Sequence, residues 1–198
     1  MIRNTEIAEN IASILLDIKA IKLSPKNPFT WASGLRSPIY CDNRIALSFP
    51  DKRTYIKEQI VTTIKKNFTE VEVIAGVATA GIPQGALVAD MLGLPFVYVR
   101  SSTKSHGMTN KIEGKIEKGQ RVVVIEDLVS TGKSSLDAVD ALRAVDADVM
   151  GMVAIFTYGL DIAVDNFESK ECDLIALSDY NAMISKAVSE KYVSFEDE

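Results

Sequence analysis

Cysteine is scarce in this sequence, and the 198 residues include only Cys41 and Cys172. Two distant cysteines form neither a disulfide framework nor the paired spacing of a zinc site. Long hydrophobic runs are also missing, because the longest nearly apolar run, residues 149–156, is far shorter than the roughly 20 residues of a membrane-spanning helix. Acidic residues occupy the N-terminal region where a signal peptide would be apolar. The sequence therefore argues against a membrane protein and predicts a cytoplasmic location.

An excess of basic residues is absent as well. Twenty-two Lys and Arg residues stand against 27 Asp and Glu, and this net charge of −5 is unlike that of a nucleic-acid-binding domain. The distribution is uneven, because residues 100–121 carry six basic and two acidic side chains and the single histidine, His106. This basic block predicts a small anionic ligand rather than a polyanion.

Length and hydrophobic patterning predict one domain over residues 1–198. Residues 1–45 are expected to contribute an N-terminal helix and a small hood that contains a hairpin, with strands near 29–31 and 38–40. A second helix is predicted to begin near Pro50. Apolar strands then alternate with helices, and the strands are expected at residues 71–75, 96–99, 122–125, 149–156 and 174–177. This alternation predicts an α/β fold with a central, mostly parallel sheet flanked by helices.

Two acidic residues, Glu126 and Asp127, directly follow the predicted strand 122–125. The next segment, Ser130-Thr131-Gly132, is expected to lead into a helix, whose N-terminal amides and neighbouring hydroxyls favour a phosphate group. Carboxylates repel phosphate, but the two features are compatible when the ligand has a neutral diol beside its phosphate, as a sugar phosphate does. A P-loop is excluded, because that motif requires glycine where this sequence has Asp127.

The run from Val124 to Ser134, Val-Ile-Glu-Asp-Leu-Val-Ser-Thr-Gly-Lys-Ser, resembles the phosphoribosyl pyrophosphate (PRPP) signature of the type I phosphoribosyltransferases. Residues 29–40 and 100–107 resemble the N-terminal substrate segment and the mobile catalytic loop of the orotate-using members of that family. The resemblance covers residues 5–180 and implies the type I phosphoribosyltransferase fold. It also implies transfer of the phosphoribosyl group from PRPP to orotate, with release of pyrophosphate, in pyrimidine biosynthesis.

The resemblance assigns roles to individual residues. Those expected to bind PRPP are Glu126, Asp127, Leu128, Val129, Ser130, Thr131, Gly132, Lys133 and Ser134. The two acids would face the ribose hydroxyls, the segment 130–134 would face the 5-phosphate, and Ser130 would also contact orotate. The residues expected to be catalytic are Arg100, Lys104, His106 and Asp127.

The resemblance also implies partners. Arg100, Lys104 and His106 would bind pyrophosphate in the site of a neighbouring subunit, so a homodimer with shared active sites is expected. Mg²⁺ would bridge pyrophosphate and ribose oxygens and would be held mainly by PRPP. The turn 78–83 resembles the second pyrophosphate-binding loop of the family.

Some positions depart from the family pattern. Ser101, Ala80, Ala32 and Tyr158 stand where several members have basic residues, and Lys133 stands where many have glycine. Trp31 and Tyr40 either wall the base pocket or pack within the hood, and Cys41 is interpreted as a small buried hydrophobic residue. Two alternatives stay open: a PRPP-dependent transferase for another base, and a regulator of the same fold that senses PRPP.

Overall fold

The N-terminal part of the chain forms a helix and a small hood. The computed structural model describes residues 1–30, 36–101 and 111–194. The N-terminal elements are α1 (Thr5–Asp17), β1 (Ile21–Leu23), β2 (Phe29–Thr30), β3 (Arg36–Ser37), β4 (Ile39–Cys41), a 3₁₀ helix (Asn43–Ser48) and α2 (Pro50–Asn67). Residues 21–48 are called the hood below. Helix α1 begins at Thr5, because the Asn4 side chain accepts a hydrogen bond from the amide of Ile7 at 3.1 Å and caps the helix.

The hood contains two short antiparallel pairs instead of the single predicted hairpin. Strand β2 pairs with β3, so Phe29 lies opposite Ser37. Strand β4 pairs with β1, and Ile39 lies opposite Leu23. The predicted second arm, residues 38–40, is therefore part of a different pair. Trp31 and Ala32 lie outside the described residues.

The remainder of the chain builds the central sheet and its helices. The strands are β5 (Val73–Val77), β6 (Phe96–Val99), β7 (Ile112–Glu113), β8 (Arg121–Val129), β9 (Asp148–Thr157) and β10 (Leu174–Asp179). The helices are α3 (Gly81–Leu92), α4 (Lys133–Arg143), α5 (Asp161–Ser169) and α6 (Tyr180–Ser189). The sheet has the strand order β10, β9, β8, β5, β6, β7. The first five of these strands run parallel, and β7 pairs antiparallel with β6 as the last strand.

Helices cover both faces of the sheet, as the sequence predicts. Ile11, Ile60 and Val88 place α1, α2 and α3 in the hydrophobic core on one face. Leu142 and Phe167 place α4 and α5 in the core on the other face. Each strand between the two layers buries side chains on both sides, which accounts for the continuous apolar runs.

Two features of the sheet differ from the sequence-based prediction. Strand β8 continues to Val129 instead of ending at Ile125, because β9 runs beside it and pairs Leu128 with Phe156. The short strand β7 was not among the predicted strands, since two residues give no detectable alternation. Within the described residues, no helix combines the length and apolar character that a membrane span requires.

Candidate active site

The candidate site lies at one edge of the sheet, where four parallel strands end. Strands β5, β6, β8 and β9 lead into the segments that begin at Ala78, Arg100, Ser130 and Tyr158. Carboxyl ends of parallel strands meet at the same edge, which is the usual ligand-binding edge of an open α/β sheet. Glu126 and Asp127, the predicted phosphate-binding loop (residues 130–132, called the phosphate loop below) and the turn 78–83 therefore share one edge of the sheet.

Glu126 is buried, with only 5% of its surface exposed. Its Oε2 accepts a hydrogen bond from the Ser135 hydroxyl at 2.9 Å, and its Oε1 accepts one from the Asp127 amide at 3.1 Å. Its carboxyl group therefore points towards α4 and helps to fix the start of that helix. The prediction that Glu126 faces the ribose hydroxyls is untested, and the sequence analysis missed its bond to Ser135.

The two acids perturb each other. Burial, followed by the negative charge of Asp127, raises the pKa of Glu126 from its ordinary value of 4.5 to about 8. Burial also raises the pKa of Asp127. A buried carboxyl beside a second carboxyl favours its neutral form. The pair can therefore retain a proton near neutral pH.

We expect Glu126→Gln to stabilise the protein at high pH. Between about pH 4.5 and 8 the native state holds a proton that the unfolded state has released, so stability falls as pH rises through this interval. Glutamine does not ionise and therefore abolishes this penalty. Urea unfolding should therefore show a larger gain for the variant at pH 8.5 than at pH 5.

The matched control is Glu58→Gln on the exposed face of α2. This change removes the same charge from a solvated position and should alter stability little at either pH. A constant difference between Glu126→Gln and the parent protein at both pH values would contradict the assignment.

The loop after β8 presents backbone amides at the start of α4. Gly132 precedes the helix with φ +79°, and no side chain caps the helix. A Cβ at Gly132 would lie 2.7 Å from Cε2 of Phe167, so glycine is needed here for packing as well as for conformation. The side-chain amide of Asn166 donates from Nδ2 to the Thr131 carbonyl at 2.9 Å and fixes the loop to α5. Lys133 and Ser134 begin α4 with exposed side chains.

The other predicted PRPP residues differ in accessibility. Leu128 packs against one core and Val129 is buried in the other. The Val129 carbonyl accepts hydrogen bonds from the Thr157 hydroxyl at 3.1 Å and the Tyr158 amide at 3.1 Å. Ser130 is partly exposed. Val129 therefore supports the strand with a buried side chain, whereas Leu128 is only partly buried. Their predicted contact with PRPP is untested.

The turn 78–83 lies directly beside β8. The peptide bond between Ala78 and Thr79 is cis, and the Ala78 amide donates to the Val99 carbonyl at 2.9 Å. A Cβ at Gly81 would lie 2.5 Å from the carbonyl oxygen of Ile125, so the first turn of α3 touches the backbone next to the acids. Gln84 on the same helix is 2% exposed, and its amide has no hydrogen-bond partner among the described residues.

The basic block does not form one patch. Arg100 lies at the candidate edge, where its Nη1 is 3.2 Å from Oε1 of Glu113. Arg121 begins β8 and so lies at the amino ends of the strands, opposite the candidate site. Its Nη1 is 2.6 Å from Oε2 of Glu70, and its Nε is 3.2 Å from Oε2 of Glu72. The interpretation of residues 100–121 as a single anion-binding unit is therefore wrong for Arg121. Lys104 and His106 lie outside the described residues.

The hood contacts the acid-bearing strand through a residue that sequence analysis missed. Asn43 donates from Nδ2 to the carbonyl oxygen of Asp127 at 2.6 Å. The Cys41 thiol donates to Oδ1 of Asn43 at 3.3 Å. Burial, followed by the charge of Asp127, raises the pKa of the Cys41 thiol, so this thiol stays protonated and can donate. The signal was the Asp-Asn pair after a predicted strand, since both residues are typical of turns and caps.

The described residues fit a divalent cation only in part. No group of three or more His, Cys, Asp or Glu side chains in ranges 1–30, 36–101 and 111–194 is arranged to hold a metal. Mg²⁺ characteristically binds through one or two carboxylates together with water and substrate phosphates. Asp127 can supply such a carboxylate, so the donor set suits a metal that arrives with a phosphorylated substrate.

A parallel sheet with an acid pair at its carboxyl edge and an adjoining predicted phosphate-binding loop is the arrangement that the resemblance to the phosphoribosyltransferases implies. A family model described as "Phosphoribosyl transferase domain" matches residues 53–191, and the chain belongs to that family. The orotate phosphoribosyltransferase of Streptococcus mutans is 57% identical over 187 residues, which cover 94% of this chain and 90% of that protein. That of Porphyromonas gingivalis is 55% identical over 187 residues, with coverage of 94% and 89%.

A solved structure gives the same assignment at the level of fold. The crystal structure of orotate phosphoribosyltransferase from Aeropyrum pernix matches with a TM-score of 0.80 and 25% sequence identity. The match covers 93% of this chain and 99% of that chain. The predicted fold, with its central sheet and N-terminal hood, is therefore confirmed.

Proposed function

We propose that this chain transfers the phosphoribosyl group of PRPP to orotate, giving orotidine 5′-monophosphate and pyrophosphate in pyrimidine biosynthesis. The observation that carries the proposal is the carboxyl edge of β8, where Asp127 lies next to the phosphate loop 130–132. The loop amides suit the 5-phosphate, and Asp127 suits the ribose hydroxyls. The high identity to orotate phosphoribosyltransferases over nearly the whole chain supports orotate as the base.

The reaction breaks the bond between the anomeric carbon and pyrophosphate and forms a bond to a ring nitrogen of orotate. Positive charge develops on the ribose ring while negative charge develops on pyrophosphate. Asp127 would stabilise the ribose side through its charge and by accepting hydroxyl hydrogen bonds. Arg100, Lys104 and His106 would stabilise the leaving group, and the segment around them would exclude water.

The proposal includes Mg²⁺ and a second subunit. When bound, Mg²⁺ supplies positive charge to the pyrophosphate oxygens. Asp127 would supply a carboxylate to hold it. Arg100, Lys104 and His106 would act in the site of the neighbouring subunit, so the active form would be a homodimer. The cytoplasmic location stays a prediction from the low cysteine content.

The direct test is base-dependent turnover. Purified protein with PRPP and Mg²⁺ should consume orotate, followed by the loss of orotate absorbance, and should release one pyrophosphate per orotate. Uracil, adenine, guanine and hypoxanthine are the control bases, because the fold alone does not select the base. Turnover of one of these with orotate inert would overturn the substrate assignment. Binding of PRPP without pyrophosphate release with any base would favour the regulator.

A further inference from the structure

Asn43 is fully enclosed although it is a polar residue of the hood. Only 1% of its surface is exposed. It opens the 3₁₀ helix, but the capping role there belongs to Asp42, whose side chain accepts a hydrogen bond from the Arg44 amide at 3.2 Å. The Asn43 amide is therefore not needed to start the helix. Its burial requires another explanation, because a buried amide is costly unless it is hydrogen-bonded.

Both ends of the Asn43 amide are used. Nδ2 donates to the Asp127 carbonyl at 2.6 Å, and Oδ1 accepts from the Cys41 thiol at 3.3 Å. The last residue pair between β5 and β8 is Gly76 with Ile125, so beyond that point β8 has a strand partner only on the β9 side. The Asn43 amide thus gives the Asp127 carbonyl a hydrogen-bond partner from the hood.

The bond joins two parts of the site that have different tasks. Tyr40 and Cys41 lie on the hood side of the bond. Burial raises the pKa of Tyr158, and the charges of Cys41 and Tyr40 raise it further, so Tyr158 lies close to both residues. On the sheet side lies Asp127, which would face the ribose. Asn43 therefore links the hood segment beside Tyr40, which resembles the substrate segment of the family, to the strand that carries Asp127.

We propose that Asn43 is a positioning residue for the transfer reaction, one that sets the separation between orotate against the hood and ribose against β8. The inference rests on the proposed function. Group transfer requires the attacking nitrogen and the anomeric carbon at near-contact distance, and an error of about 1 Å costs roughly 100-fold in rate. The Asn43 bond fixes this distance without touching either reacting atom.

The test compares two substitutions at this position. Asn43→Ala removes both hydrogen bonds, whereas Asn43→Asp keeps the size and the acceptor for Cys41 but loses the donor to Asp127. Both should lower kcat by roughly 30- to 100-fold. Both should leave the KM for PRPP within about threefold, because phosphate and pyrophosphate are bound elsewhere.

Ser178→Ala is the matched control, because it removes another buried bond from a side chain to a carbonyl. The Ser178 hydroxyl donates to the Ala8 carbonyl at 2.8 Å, two strands away from β8. This variant should lose stability and keep kcat within about twofold, since its bond does not border the site. Thermal unfolding of all variants separates loss of fold from loss of turnover.

Each outcome decides the proposal. A kcat for folded Asn43→Ala equal to that of Ser178→Ala would overturn it, and so would a full rescue of kcat by Asn43→Asp. Failure of both Asn43 variants to fold at 15 °C would show that the amide is required for folding, and would also overturn the positioning role. An inactive parent protein with orotate and PRPP is a failure of the proposed function instead.

Discussion

Asp127→Asn should lower kcat by roughly 100-fold or more, because on the proposed function it removes a negative charge that would stabilise the positive charge developing on ribose. The substitution keeps the shape of the side chain and leaves the backbone carbonyl bonded to Asn43. It also removes the charge that raises the pKa of Glu126, so that pKa should fall. Steady-state turnover with orotate and PRPP measures the first effect, and the pH dependence of stability measures the second.

The control for charge is Asp137→Asn on the exposed face of α4. It should leave kcat within about twofold, since exposed charges are well screened.

Mixing Asp127→Asn with Lys104→Ala subunits tests the shared site, and random exchange should recover about a quarter of the parent activity in hybrid dimers. A loss of less than threefold for Asp127→Asn would contradict its role, and no recovery after confirmed exchange would contradict the shared site.

Gly81→Ala should both destabilise the protein and abolish most of its activity. The added Cβ would lie 2.5 Å from the Ile125 carbonyl oxygen, which belongs to a central strand and cannot rotate away. The first turn of α3 must therefore move from β8, and the turn 78–80 must move with it. Overpacking of this kind costs about 1–3 kcal/mol, and occasionally more. Thermal unfolding and turnover measure the two effects.

Gly85→Ala is a control on the same helix. A Cβ there would lie 2.7 Å from Cε2 of Phe96, a side-chain atom that can move aside, and its nearest backbone neighbour, Cα of Gly76, would be 3.3 Å away. We expect a smaller loss of stability and nearly full activity. Equal stability losses in the two variants, or normal turnover by Gly81→Ala, would show that the contact between α3 and β8 does not control the site.

Much of the sheet could be predicted from the sequence, because hydrophobic runs and turn residues are local signals. The strand 96–99 was predicted with its observed bounds. The extent of β8 was not predicted, since Glu126 and Asp127 look like the end of a strand when read alone. The end of β8 is set by the neighbouring strand β9, which pairs with it as far as Val129.

The common location of the candidate site residues could be predicted where they are adjacent in the sequence, and contacts between residues distant in the sequence were missed. The acids and the phosphate loop follow one another in the chain, and their common edge followed from the parallel strands. The prediction of one anion-binding unit from the basic block was wrong for Arg121, because Arg121 lies at the opposite end of β8 and pairs with Glu70. The bonds of Glu126 to Ser135 and of Asn43 to Asp127 depend on tertiary packing, which no local pattern encodes.

The bond between hood and sheet also has a consequence for the order of assembly during synthesis. Asn43 and Asp127 are 84 residues apart in the chain. A ribosome produces the chain from the N-terminus at roughly 5–20 residues per second, so the hood exists for several seconds before its anchor emerges. A nascent chain that ends before β8 therefore has a hood that is held by its own strand pairs but lacks the Asn43 bond to Asp127, and this contact between hood and sheet forms only late in translation.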